Sequence, residues 1–214
     1  MNTTRSELFK VCLIASISHA IMTNVYPDLS YEQSWDGFNY LMQNTEGLRG
    51  TITFDADYCV GAIRNETVGF IGDIEFIQKI TSDFPLKVVD KAYNETLQYL
   101  LTEVNGTVVP CVTSMFWADN DMIHYQKENA ANLQEDLFLF KKILVPEEKA
   151  INEWKEYYDM DLKTIGLLKY LYHEKAKCFT GKIVLNDKQK RLIPGDVINS
   201  ECIESLKELN IYCE

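Results

Sequence analysis

Four aspartates form two closely spaced pairs, and these pairs are the groups best suited to bind a cation or a basic protein. Asp55 and Asp57 follow one predicted strand, and Asp119 and Asp121 follow another. Each pair could hold a divalent cation, but an EF-hand loop needs further oxygen ligands and a glycine that residues 119–124 lack. The alternatives are turn residues in solvent, or charged contacts for the lysines and arginines of a partner.

Three other carboxylates and two tryptophans extend this candidate surface. Aromatic side chains in irregular segments either cover the core or anchor a protein contact. Trp35 stands among turn-forming residues, and Trp117 lies two residues before Asp119. The predicted partner-binding residues are Asp55, Asp57, Asp119, Asp121, Glu66, Asp36, Glu46, Trp35 and Trp117.

The sequence contains no catalytic or metal-binding motif. His19, His124 and His173 stand far apart, and no spacing places two metal ligands on one helical face. Neither a nucleophile elbow, nor a P-loop, nor the glycine pattern of a dinucleotide site occurs. We therefore expect a binding protein with no catalytic residue, no metal and no cofactor. The alternative is a metal-dependent enzyme of unrecognised family that uses the aspartate pairs in an acidic cleft.

The charge favours a basic protein as partner. There are 21 Lys and Arg against 32 Asp and Glu, a net charge of -11. Residues 1–136 carry 8 basic and 19 acidic side chains, whereas residues 137–214 carry 13 of each. A field of this sign repels nucleic-acid phosphates and anionic lipid, so we expect no nucleic acid and no membrane as partner. The plainer alternative is that the acidic side chains only keep the protein soluble.

The six cysteines favour a cytoplasmic location. None has Cys-x-x-Cys spacing, and Cys12 and Cys111 stand in apolar runs that are typical of small buried side chains. A chain with reduced thiols in the cytoplasm is the simpler interpretation. The alternative is a secreted, disulfide-linked protein, since residues 5–20 have the basic start and apolar centre of a signal peptide.

These residues belong to what we predict to be a single α+β domain over residues 1–214, in which a small antiparallel sheet packs with several helices. The C-terminal part is mostly helical, and residues 182–193 suit a β-hairpin about Asn186-Asp187. A capping box at Thr4-Arg5-Ser6-Glu7 begins a buried first helix. The predicted strands are a meander over 51–54, 58–64 and 68–71 and a later strand over 108–117. The other predicted helices cover 73–80, 86–104 and 132–144, a segment opening at 146–148, 161–176 and 200–209.

The segment Trp35-Asp36-Gly37-Phe38-Asn39-Tyr40, followed by residues 47–54 and 59–64, resembles a known class of proteins. It is similar to the strand region of small cytosolic immunity proteins encoded beside bacterial polymorphic and contact-dependent toxins. The likeness covers about residues 31–71. It implies an acidic inhibitor that docks over a basic, often nuclease, toxin domain and blocks its active site. Because those proteins form many unrelated folds, no binding residue carries over.

Overall fold

The computed structural model describes residues 3–67, 72–126 and 145–213, and the chain is α+β as predicted. The described helices are α1 (Arg5–Met22), α2 (Ile74–Ile80), α3 (Leu86–Asn94), α4 (Glu147–Tyr158), α5 (Leu162–Lys177), α6 (Asp187–Lys190) and α7 (Ser200–Glu208). The described strands are β1 (Gln33–Asp36), β2 (Asn39–Gln43), β3 (Leu48–Phe54), β4 (Cys59–Asn65), β5 (Leu101–Val104), β6 (Thr107–Pro110), β7 (Ser114–Ala118), β8 (Ile123–His124), β9 (Ile183–Val184) and β10 (Ile211–Tyr212).

The chain groups into two compact units. The first consists of Met1–Leu8 and Phe38–Leu144, and the second of Phe9–Gly37 and Val145–Glu214. The prediction of one domain over residues 1–214 stays a prediction.

The first unit is built on an antiparallel sheet. Five strands of the main sheet lie in this unit in the order β2-β3-β4-β7-β8. The first two strands of the predicted meander are confirmed as β3 and β4, which pair along their full length. The predicted third strand at residues 68–71 lies outside the described residues. The predicted strand over 108–117 is two strands, because β6 pairs with β5 in a separate sheet while β7 pairs with β4.

Helices α2 and α3 cover one face of this sheet. Asp73 begins α2 as predicted, since its side chain accepts the backbone N–H of Glu75 at 3.1 Å. The apolar cluster on this face joins strand β4, both helices and the 3₁₀ turn Thr96–Leu100. Its buried members include Val60, Ala62, Ile77, Ile80, Phe84, Val88, Leu97 and Met115, and Trp117 packs against it.

The predicted helix over 86–104 is wrong beyond its first half. Helix α3 ends at Asn94, a 3₁₀ turn follows, and residues 101–104 form β5. Asn105 and Gly106 have φ values of 51° and 79°. Two consecutive left-handed residues make the tight turn of a hairpin whose strands twist correctly, so this dipeptide joins β5 to β6 instead of ending a helix.

The second unit is mostly helical, as predicted for the C-terminal part. Residues 11–23 are all buried, which confirms that the first helix belongs to the core. Asn199 connects the end of α1 to the start of α7. Its Nδ2 donates to the carbonyl oxygens of Thr23 at 3.2 Å and Asn24 at 3.3 Å, and its Oδ1 accepts the N–H of Cys202 at 2.8 Å.

The predicted hairpin over 182–193 is wrong. Strand β9 pairs in parallel with β10, with Ile183 opposite Ile211. Asn186 begins the short helix α6 through a capping box with Gln189, so it does not turn the chain back. The start of α4 after Pro146 and the start of α5, where the Asp161 side chain accepts the N–H of Thr164, agree with the predictions. The predicted helix over 132–144 lies outside the described residues.

Candidate functional site

The two aspartate pairs lie side by side at one end of the sheet in the first unit. Asp55 and Asp57 belong to the turn between β3 and β4, and Asp119 and Asp121 to the turn between β7 and β8. Strands β4 and β7 are hydrogen-bonded neighbours in which Cys59 pairs with Ala118, so the two turns leave the sheet next to each other. We call these four aspartates the acidic edge.

Arg5 ties the two turns together. Its guanidinium donates to the backbone carbonyl of Asp55 through Nε at 2.9 Å and Nη2 at 2.6 Å. Its own backbone N–H donates to the carbonyl of Asp119 at 2.6 Å. The capping box that fixes Arg5 at the start of α1 is present, because Thr4 N–H donates to Glu7 Oε2 and Glu7 N–H to Thr4 Oγ1. The capping-box pattern predicts this helix start, but nothing in it indicates the role of Arg5 at the acidic edge.

Asp55 is bonded within the fold, and its prediction as a contact for a partner stays a prediction. One carboxylate oxygen accepts the N–H of Ala56 at 2.7 Å, and the other lies 3.0 Å from Lys91 Nζ. The backbone bond and then Lys91 lower the pKa of Asp55. Lys91 also pairs with Glu95 at 3.0 Å. The charge of Asp55 is therefore largely used within the fold.

Asp119 organises its own turn. Its Oδ1 accepts the N–H groups of Asp121 at 2.8 Å and Met122 at 3.0 Å, which lower the pKa of the Asp119 carboxyl to about 2. Its Oδ2 lies 2.9 Å from Nε2 of His124. The side chains of Asp57 and Asp121 are exposed. These two are the carboxylates of the acidic edge that face solvent most fully.

An aromatic groove adjoins the acidic edge. Trp117 and His124 are opposite each other across β7 and β8, and their rings stack with centroids 4.1 Å apart and planes 12° apart. They line a cavity of about 390 Å³ together with Asp83, Phe84, Met122, Ile123 and Tyr125. Phe84 and Ile123 are buried and form the floor, whereas Asp83 and Met122 are exposed. We call this cavity the groove; His124, which is bonded to Asp119, connects it to the acidic edge.

His124 lies beside Trp117 at the candidate site, although the sequence alone did not predict it there. The signal that could have found it is the short turn after Trp117. A turn at 119–122 followed by a strand places His124 directly opposite Trp117 on the neighbouring strand.

Glu46 and Glu66 lie at the other end of the sheet. Glu46 is in the turn between β2 and β3, and Glu66 follows β4, where its N–H donates to the carbonyl of Gly47. The seven residues of β3 separate this end from the acidic edge by about 20 Å. Glu66 also pairs with Arg64 at 3.0 Å. The structure thus does not bring these two glutamates into the same site.

Trp35 and Asp36 belong to β1 in the second unit, where Asp36 is exposed. Trp35 is 4% exposed, which favours a place in the core over a partner contact. Its Nε1 donates to Ser16 Oγ at 2.6 Å, and its ring packs against Phe9 and Phe179 with centroids 5.9 Å and 4.8 Å away. Trp35 is therefore an aromatic residue of the core, the alternative that the sequence left open.

The carboxylates do not assemble into a metal centre in the parts of the chain that the structure describes. No group of three His, Cys, Asp or Glu side chains there could hold an ion. Among the cysteines, Cys12, Cys59, Cys111 and Cys202 are buried. Across residues 3–67, 72–126 and 145–213, no helix has the length and apolar character needed to cross a bilayer.

The negative charge is divided more evenly between the two folded units than between residues 1–136 and 137–214 of the sequence. By sequence, the first unit holds 9 basic and 16 acidic residues, and the second holds 12 and 16. Their net charges are -7 and -4. The acidic excess is thus larger in the unit that carries the acidic edge, but it is not confined to it.

The comparisons with known proteins found no significant match to a family model, a curated protein or a solved structure. What can be defined is an α+β protein with an acidic edge beside an aromatic groove. Its function has to be argued from that geometry and from the charge.

Proposed function

We propose that the protein is an acidic binding protein that acts in the cytoplasm and neutralises a basic toxin domain by docking over its active site. The acidic edge and the groove form the contact surface. The observation that carries this proposal is the juxtaposition of two acidic turns with an aromatic cavity at one end of the sheet. The nature of the partner comes from the resemblance of residues 31–71 to immunity proteins.

The exposed aspartates serve the first step of such binding. Asp57 and Asp121 face solvent, so their charges act on a basic partner before contact. Complementary charge raises association rate constants toward about 10⁸ M⁻¹s⁻¹ at low salt. Because solvent-exposed charges are screened, this advantage falls as the ionic strength rises.

The groove serves the second step, the retention of the partner. Protein interfaces derive most of their binding free energy from a few buried aromatic and other large side chains surrounded by polar contacts. Trp117, Met122 and Tyr125 line the groove beside the charged edge, and Met122 is 45% exposed. A partner that covers them removes apolar surface from water and slows its own release.

The internal bonds of the aspartates favour binding over metal-dependent catalysis. Asp55 is held by Lys91 and Ala56, and Asp119 by two backbone N–H groups and His124. A cation would have to displace these partners before it gained ligands. Protein contact through Asp57 and Asp121, whose side chains are exposed, needs no such rearrangement.

Co-expression with the product of the adjacent open reading frame tests the proposal. We expect that product to be toxic when it is expressed alone and harmless when this protein is present. The double variant Asp57→Lys/Asp121→Lys should protect less well than the wild type. A matched control, Glu46→Lys/Glu103→Lys, changes two exposed glutamates away from the acidic edge and should protect fully. A neighbouring product that is harmless alone, or that stays toxic beside the wild type, would overturn the proposal.

A further inference from the structure

We propose that the groove is a binding pocket for a single arginine side chain presented by the basic partner. This inference rests on the proposed function and names the chemical group that the groove recognises. The pocket is lined by Asp83, Phe84, Trp117, Met122, Ile123, His124 and Tyr125.

The walls of the groove suit a planar cation. A guanidinium is flat and weakly hydrated, and it stacks on aromatic planes while its stem lies along apolar surface. The stacked rings of Trp117 and His124 and the side chain of Tyr125 supply aromatic planes in the groove. The buried ring of Phe84 and the buried side chain of Ile123 supply an apolar floor for the stem.

The charges of the groove select a cation over an anion. Asp83 is exposed and contributes a carboxylate, and none of the seven described lining residues is a lysine or an arginine. A carboxylate and a guanidinium form short, charge-assisted hydrogen bonds, often in pairs. Asp119 and Asp121 lie in the adjoining turn and add to the negative field.

The bond between Asp119 and His124 also leaves a hydrogen-bond acceptor on the His124 ring for a guanidinium N–H. Because its carboxyl pKa is lowered to about 2, Asp119 is ionised at neutral pH and acts only as an acceptor. The Nε2 of His124, 2.9 Å away, must then carry the hydrogen. In the neutral ring this leaves the lone pair on Nδ1, which can accept a hydrogen bond from a guanidinium N–H.

The size of the groove fits one side chain. Its volume of about 390 Å³ lies near the lower end of the range for ligand pockets, which is roughly 300–1,000 Å³. A single arginine that projects from a folded surface needs only the space that is present.

The test is an NMR titration of the full-length protein with N-acetyl-arginine-N-methylamide. The matched probes are the citrulline analogue, which has nearly the same shape without the charge, and the lysine analogue. We expect the indole N–H signal of Trp117 to shift saturably with the arginine probe, with a dissociation constant on the order of 1 mM. The other tryptophans, Trp35 and Trp154, are buried in the second unit and should not respond. Equal shifts with the citrulline probe, equal or tighter binding of the lysine probe, or no shift at all would overturn the inference.

Two variants test whether the arginine probe binds in the groove. Asp83→Asn should weaken binding of the arginine probe at least fivefold, whereas Asp90→Asn, a change at another exposed aspartate of the same unit, should leave it within twofold. Unchanged amide spectra away from the groove confirm that both variants fold. If Asp83→Asn binds the arginine probe as the wild type does, the assigned pocket is wrong.

The titration is independent of the toxin assay. If the neighbouring gene product is neutralised but the arginine probe does not bind, this inference fails while the proposed function stands. If the probe binds but no neutralisation occurs, the proposed function fails and the groove remains an arginine site.

Discussion

The guanidinium of Arg5 donates two hydrogen bonds to the backbone carbonyl oxygen of Asp55, from Nε at 2.9 Å and from Nη2 at 2.6 Å. Because the backbone N–H of Arg5 also holds the carbonyl of Asp119, one residue fixes both turns of the acidic edge. The guanidinium carbon lies 5.7 Å from the ring centroid of Phe54, a cation–π contact. The start of α1 is thus a structural part of the candidate site.

Replacing Arg5 should loosen both acidic turns. Arg5→Met keeps an apolar stem but removes the two donors, so we expect the free energy of unfolding to fall by about 1–3 kcal/mol. Amide hydrogen exchange at Ala56 and Met122, one in each turn, should speed up together. Arg5→Lys keeps the charge without the two-donor geometry. Its free energy of unfolding should therefore lie closer to that of Arg5→Met than to that of the wild type. If Arg5→Met unfolds at the same urea concentration as the wild type, Arg5 does not have this role.

His19 should make the protein less stable in mild acid. It is 1% exposed, its Nδ1 lies 2.8 Å from the hydroxyl of Tyr158, and burial lowers its pKa to about 4. As the pH falls below about 6.5, the unfolded chain takes up a proton on this ring while the folded chain does not, until the pH approaches 4. The folded state therefore loses stability across that window, by at most on the order of 3 kcal/mol.

Urea unfolding at pH 7.0, 5.5 and 4.5 measures this loss, with His19→Gln as the comparison. The variant has no imidazole to titrate, so it should be less stable than the wild type at pH 7.0 and lose less stability on acidification. Parallel curves for the two proteins between pH 7.0 and 4.5 would show that His19 is not the responsible group.

Two glycines should respond to alanine in opposite directions. Gly106 has φ 79° in the hairpin turn, so Gly106→Ala should cost about 1–2 kcal/mol of stability, although among the described residues no atom beyond its chain neighbours lies within 4 Å of the added methyl group. Gly166 is exposed within α5 and equally open, so Gly166→Ala should raise stability by about 0.5–1 kcal/mol. Thermal unfolding of both variants provides the measurement. A stabilising Gly106→Ala would mean that the turn is not held as described.

Helix starts could be predicted from the sequence because a few neighbouring residues determine them. The start of α1 at Thr4, of α2 at Asp73 and of α5 at Asp161 could be predicted, since a side chain there satisfies backbone N–H groups only a few residues away. The predicted ends were less secure. Asn105 and Gly106 adopt left-handed backbone both after a helix and within a hairpin, so the dipeptide alone did not distinguish the two.

Contacts distant in sequence could not be predicted in the same way. Ile183 pairs with Ile211, and two-residue parallel strands leave no periodic pattern in the sequence. Asp55 and Asp119 were predicted as turn residues, and they are. Their nearness follows from the pairing of β4 with β7, and the bond of Asp55 to Lys91 depends on where α3 packs. These facts decide which carboxylates remain available, and they belong to tertiary structure.

Capture of a basic protein by the exposed carboxylates of the acidic edge is measured by the association rate constant with the product of the adjacent open reading frame. Stopped-flow measurements at low and at physiological salt should compare the wild type, Asp57→Lys/Asp121→Lys and the control Glu46→Lys/Glu103→Lys. All three need matching circular dichroism spectra. We expect the first variant to associate at least tenfold more slowly than the control at low salt, with a smaller difference at physiological salt. Equal rates for the two variants would contradict capture by these carboxylates.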